Sequence, residues 1–73
     1  MPSMDKESLR LSAARAYVLG DSSEPVLISA FRDVTAADRT RLLSRHRREL
    51  EAIDAPRLTI LESMLLPLEQ RTR

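Results

Sequence analysis

Cysteine is absent from this chain of 73 residues. Neither a disulfide framework nor a thiolate zinc site can staple the fold. Aromatic side chains are almost absent: Tyr17 and Phe31 are the two present, and there is no Trp. RNA-recognition sheets and oligonucleotide-binding barrels stack bases on several aromatics, so neither class is expected. The single Gly is too little to build a phosphate loop or a GxGxxG turn, and no GxSxG or HExxH occurs. The single His, His46, has no Cys to join it in an ordinary zinc site. Charge of one sign is also missing, since 12 basic and 11 acidic residues leave a net charge of +1. A nucleic-acid binder acting through bulk charge carries a larger surplus. No apolar run approaches a membrane span, and the N-terminus lacks the apolar core of a signal peptide. The cytoplasm of the producing or host cell is the expected compartment. No enzyme is expected, with no catalytic or metal-binding residues, no cofactor and no small-molecule substrate.

What is present is Leu, Arg and Ala, a mixture that favours helix over strand. Hydrophobic residues at 42% place the chain in the globular class. A domain this short buries only about 60% of its unfolded surface. Tight helix packing, self-association or a partner must supply the rest. The expectation is an all-α fold: one small domain over residues 1–73, with three to four short helices and frayed termini.

The order of residues gives the segments. A first helix is expected over about 3–19, with Asp5 and Glu7 at its positive end. Leu9, Ala13, Ala16 and Tyr17 form one apolar stripe, and Leu11, Ala14 and Val18 line the opposite side. Gly20 stops this helix, and Asp21-Ser22-Ser23 turns the chain. Pro25 suits the first turn of a second helix over 26–32. VLISAF there is also compatible with a buried strand by periodicity; helix is preferred because no second strand exists to pair with it. Thr35-Ala36-Ala37-Asp38 is a variant capping box that opens a third helix, expected from 36 to about 53. Leu42, Leu43, His46, Leu50 and Ile53 share its apolar face with Ala36, and Arg41, Arg45 and Arg48 lie opposite. Asp54-Ala55-Pro56 reads as a stop and a fresh cap for a fourth helix over 57–66. Leu58, Leu61, Leu65 and Leu68 form its core stripe, with Ile60 and Met64 beside it. Pro67 ends it at Leu66. The polar tail 69–73 is expected to be disordered.

The pattern of charge says more than its total. Between Arg39 and Arg48 there are five Arg and no acid, and Lys6 is the sole Lys of the chain. Arg makes forked contacts to carboxylate and phosphate and is weakly hydrated, so it suits interfaces. The plainer alternative is a solvated helix face with i, i+4 pairs, Arg45 with Glu49 and Arg47 with Glu51. His46, on an apolar stripe, reads better as a partly buried packing residue than as a general base. Apolar residues exceed what four short helices readily bury, and exposed apolar faces mark partners or self-association. Leu and Met beside an Arg-rich helix would fit an acidic, apolar peptide. The second and third segments also have a helix-turn-helix outline, without the glycine often found in its turn.

The running sequence, from MPSMDKESLRLSAARAYVLG through FRDVTAADRTRLLSRHRREL to LLPLEQRTR, resembles the small RNA polymerase-binding transcription regulators of phages, in particular that of a xanthomonad-infecting phage. The resemblance spans all 73 residues and rests on length and running sequence rather than on a motif. It implies binding to the N-terminal segment of the bacterial polymerase β′ subunit, near the RNA exit channel. It also implies inhibition of initiation through σ factor displacement, and antitermination at intrinsic terminators. Nascent RNA is a further contact that such a position would allow.

Residue type alone makes Arg10, Arg15, Tyr17 and Phe31 candidates for the peptide-docking surface, since Tyr and Arg are favoured anchors. Arg41, Arg45 and Arg48 are candidates for acidic or RNA contacts. The alternative reading is a small DNA-binding repressor or antitoxin-like dimer. A self-associating structural protein using Leu58, Leu61 and Leu65 is a third.

Overall fold

The structure, a computed structural model, describes residues 6–66. These residues form four helices and no strand: α1 (Lys6–Leu19), α2 (Glu24–Ala30), α3 (Ala36–Arg45) and α4 (Arg47–Leu65). The fold is all-α, as the composition implies. The expectations for Leu68 and for the tail 69–73 lie outside the described residues, as do those for the chain ends.

Helix α1 ends through backbone geometry that only glycine adopts without strain. Gly20 has φ +89°. Its N–H donates to the Tyr17 carbonyl at 3.0 Å, and the Asp21 N–H donates to the Ala16 carbonyl at 2.9 Å. These two bonds form a Schellman closure, which satisfies carbonyls that the helix end would leave open. Helix α2 starts with Glu24 and carries Pro25 in its first turn, so the VLISAF segment is helix and not strand. Thr35 caps α3, its Oγ1 accepting from the Asp38 N–H at 3.2 Å. This is one half of the capping box read in the sequence.

The helix expected to run unbroken from 36 to 53 is interrupted. His46 has φ −110° and ψ 12°, and serves as both the end of α3 and the start of α4. No Gly or Pro announces the break. On its two sides the side chains diverge: Arg45 reaches Glu7 of α1, and Arg47 reaches Glu62. The second break falls where the sequence places it. Asp54 leaves the helical region at φ −163°, ψ 98°, and its Oδ1 accepts from the Arg57 N–H at 3.1 Å. Helix α4 is therefore two helical pieces, 47–53 and 55–65. Leu66, the residue before Pro67, is extended at φ −112°, ψ 141°, as a pre-proline residue should be.

The helices share one core. Phe31, Leu27, Leu43, Leu50, Leu58, Leu61 and Val18 are fully buried. Ala14, Tyr17, Leu42, Val34, Leu65 and Leu66 complete it. Helix α1 packs on α4 and α2, and α3 packs on α4 and α1. The two apolar stripes read on α1 do not survive as drawn. Its buried face is Ala14, Tyr17 and Val18, taken from both stripes, and Leu9 stays 54% exposed. The expected apolar surplus is real but dispersed: Leu9 and Leu19 on α1, Val26 and Ile28 on α2, and Ile60 on α4 are exposed.

Candidate functional site

The arginines divide into two groups, and the division locates the site. Three of them are built into the fold. Arg39 on α3 donates through Nε to the Val34 carbonyl at 2.9 Å, through Nη2 to Phe31 at 2.6 Å and through Nη1 to Leu65 at 3.2 Å. Phe31 closes α2, and Leu65 is the last residue of α4. One guanidinium thus donates to carbonyls at two helix ends, where a cation is also favoured by the helix dipole; the Phe31 carbonyl accepts from the Val34 N–H as well, at 3.1 Å. Arg57 on α4 donates from Nε to the Tyr17 carbonyl at 2.9 Å. Its guanidinium carbon lies 4.4 Å from the centre of the Tyr17 ring, within cation–π range. Arg47 joins buried Glu62 at 3.3 Å and Glu51 at 3.2 Å.

A second group faces outward between α1 and the α3–α4 joint. Arg45 pairs with Glu7 at 2.8 Å, and Arg15 donates to Glu49 at 2.6 Å from Nε. Both pairs cross from α1 to its neighbour. Half-buried His46 sits between the two acids, with Nε2 3.9 Å from Glu7 and Nδ1 3.9 Å from Glu49. These separations exceed hydrogen-bond length. Of the two i, i+4 pairs expected on one helix, Arg47–Glu51 forms. Arg45–Glu49 is replaced by the cross-helix pairs, because the break at His46 separates the two residues' helices.

Arg10, Arg41 and Arg45, three of the sequence candidates, converge on one groove of about 190 Å³ between α1 and α3. Val34 and Leu42 form its apolar part, and Glu7 and Asp38 its acidic part. Arg41 pairs with Asp38 at 3.1 Å. Arg10 also borders a second groove of about 390 Å³, formed with Lys6, Leu9, Ala30 and Asp33. Arg10 is half-buried and makes no ion pair among the described residues.

The remaining candidates lie elsewhere. Arg15 is held in its pair with Glu49. Arg48 is exposed and has no ion pair among the described residues. Tyr17 and Phe31 are core residues, 4% and 0% exposed, and so present no ring to a docking peptide. The reason is compositional: with only two aromatics, the largest side chains go to the core, where they bury the most area. Arg39 and Arg57 carry structure that residue type did not reveal. Asp54 before Arg57 was a legible cap signal, but the target of the Arg57 side chain is set by a residue 40 positions away. Among the described residues, no helix is long and apolar enough to cross a membrane. No family model, curated protein or solved structure matches the chain.

Proposed function

We propose that this chain is a phage-encoded regulator that acts by binding host bacterial RNA polymerase. On this reading it engages the N-terminal segment of the β′ subunit near the RNA exit channel. It inhibits initiation by favouring σ factor displacement, and it allows antitermination. It works as a ligand of the polymerase and not as a catalyst. The reading draws its identity from the resemblance of the whole sequence to phage polymerase-binding regulators. The observation that supports it is the gathering of Arg10, Arg41 and Arg45 around one groove, with Glu7 and Asp38 between them and the core residues Val34 and Leu42 at its floor.

Arg anchors beside apolar surface are what a protein interface uses. The ion pairs Arg41–Asp38 and Arg45–Glu7 bias two of these side chains toward the groove before any partner arrives. Such preorganisation lowers the entropy lost on docking. The mechanism follows from affinity alone. A factor that binds one polymerase state better than another shifts the population toward it by no more than that difference. A regulator that favours σ-free polymerase would therefore inhibit initiation and remain bound during elongation.

The test is capture of purified host polymerase on the immobilised chain. Binding that is lost when the β′ N-terminal segment is deleted supports the reading. Absence of binding overturns it, as does specific, salt-sensitive capture of duplex DNA in its place.

A further inference from the structure

We propose that His46 is the hinge of a dimer in which two copies of this chain exchange α4. The break straightens, and the α4 of each copy packs on α1 and α3 of the other. The partner is a second copy, and the polymerase reading plays no part.

Nothing local demands the break. From Ala36 to Ile53 there is no Gly or Pro, and Leu, Arg and Glu, all good helix formers, flank His46 on both sides. The joint also leaves backbone groups open. The His46 N–H donates to the Leu42 carbonyl at 3.2 Å, and the Leu50 N–H donates to the His46 carbonyl at 3.1 Å. Between these two bonds the helical ladder stops. Among the described residues, no backbone bond links the carbonyls of Leu43, Ser44 and Arg45 to the N–H groups of Arg47, Arg48 and Glu49. A straight helix would form these bonds.

One copy alone cannot straighten without loss. Helices α1, α2 and α3 precede the joint, and α4, which follows it, packs back on α1 and α3. Straightening in a single chain would part α3 from the core it shares with α4. Exchange removes that conflict, because the same surfaces meet between copies. Arg57 would then reach the Tyr17 carbonyl, and Arg39 the Leu65 carbonyl, of the other copy; both bonds now cross from one side of the joint to the other. Leu58, Leu61 and Leu65, core residues within one copy, would bury themselves against the other. A side-by-side dimer has less to recommend it: the exposed apolar residues Leu9, Leu19, Val26, Ile28 and Ile60 are spread over three helices. Arg10, Arg41 and Arg45 all lie before the joint, so the exchanged dimer carries their groove twice.

Arg48→Pro tests the hinge. Arg48 is exposed, is the second residue of α4, and has its N–H outside the ladder. Pro25 holds the same second place in α2, and Pro56 the same place after Asp54. The folded monomer should therefore accept proline there, whereas a continuous helix should not. The full chain is unfolded in urea, refolded at millimolar and at micromolar concentration, and its mass read by light scattering. The expected result is a dimer after millimolar refolding and a monomer after micromolar refolding. Arg48→Pro should keep the monomer's core amide spectrum and weaken dimerisation by about a hundredfold or more. His46→Gly should weaken it by about fivefold or more, and His46→Ala should strengthen it, following helix propensity. In a dimer of one isotope-labelled and one unlabelled copy, a nuclear Overhauser contact should join the Tyr17 ring of one to the Arg57 side chain of the other.

A monomer after millimolar refolding would overturn the inference. So would a dimer whose Tyr17–Arg57 contact stays within each copy, or one that Arg48→Pro leaves intact, since either would be a side-by-side contact. Should Arg48→Pro fail to fold, equal dimerisation of His46→Gly and His46→Ala would overturn it as well.

Discussion

Arg39 and Arg41 are two positions apart on α3 and identical in type, yet they belong to different parts of the molecule. Arg39 turns inward and donates to three carbonyls, those of Phe31 and Leu65 at two helix ends and that of Val34 in the α2–α3 connection. Arg41 turns outward, 67% exposed, and pairs with Asp38 one turn away. The same contrast separates Arg57 and Arg47 from Arg10, Arg45 and Arg48. The lesson is that a dense run of arginine is not in itself a surface. Of the five Arg between 39 and 48, only Arg41, Arg45 and Arg48 were read as one face, and the other two, Arg39 and Arg47, are bound into the fold.

This contrast can be broken or sharpened by substitution. The largest effect is expected for Arg39→Gln. A charged hydrogen bond contributes about 1.5–3 kcal/mol, and Arg39 makes three of them, although the Phe31 carbonyl keeps the Val34 N–H, so a loss of about 2–4 kcal/mol is expected after water compensates in part. In a domain with a total stability of about 5–15 kcal/mol this is a large fraction, and urea unfolding would read it. Next is Arg57→Gln, which removes one carbonyl bond and the contact with the Tyr17 ring. The expected loss is about 1–3 kcal/mol. Arg57→Lys should recover only part of it, because Lys lacks the flat fork that serves both contacts.

Smaller effects are expected across the α1 boundary. Arg45→Gln and Glu7→Gln should each cost at most about 1 kcal/mol, since both side chains are about half exposed. A double-mutant cycle on this pair should give a coupling that shrinks at molar salt. A coupling as large as the Arg39 effect would show that the outer pairs also hold the fold. The smallest effect is expected for Arg48→Gln, with stability unchanged within about 0.5 kcal/mol, checked by the same unfolding curve.

The sequence was most legible where local backbone chemistry decides. Gly20, Thr35, Asp54-Ala55-Pro56 and the Leu66–Pro67 boundary each mark a helix end, and the structure turns or stops at each. Such signals depend on a residue's own φ and a few nearby atoms, so neighbours in sequence suffice to read them. The core stripe Leu58, Leu61 and Leu65 was equally plain, because its spacing survives on a regular helix. The break at His46 was hidden, since no Gly, Pro or capping residue stands there. Tyr17 and Phe31 were placed at an interface by residue type, yet a small core claims its largest side chains first. Arg10, Arg41 and Arg45 were named from type alone. That they share a groove depends on how α1 crosses α3, which pattern within either helix does not contain.

The most direct test of the division is urea unfolding of Arg39→Gln beside Arg41→Gln, measured under identical conditions. A marked fall in midpoint for Arg39→Gln, with the Arg41→Gln midpoint close to wild type, is the predicted result. Equal losses, or a larger loss for Arg41→Gln, would contradict the assignment of one arginine to the fold and its neighbour to the surface.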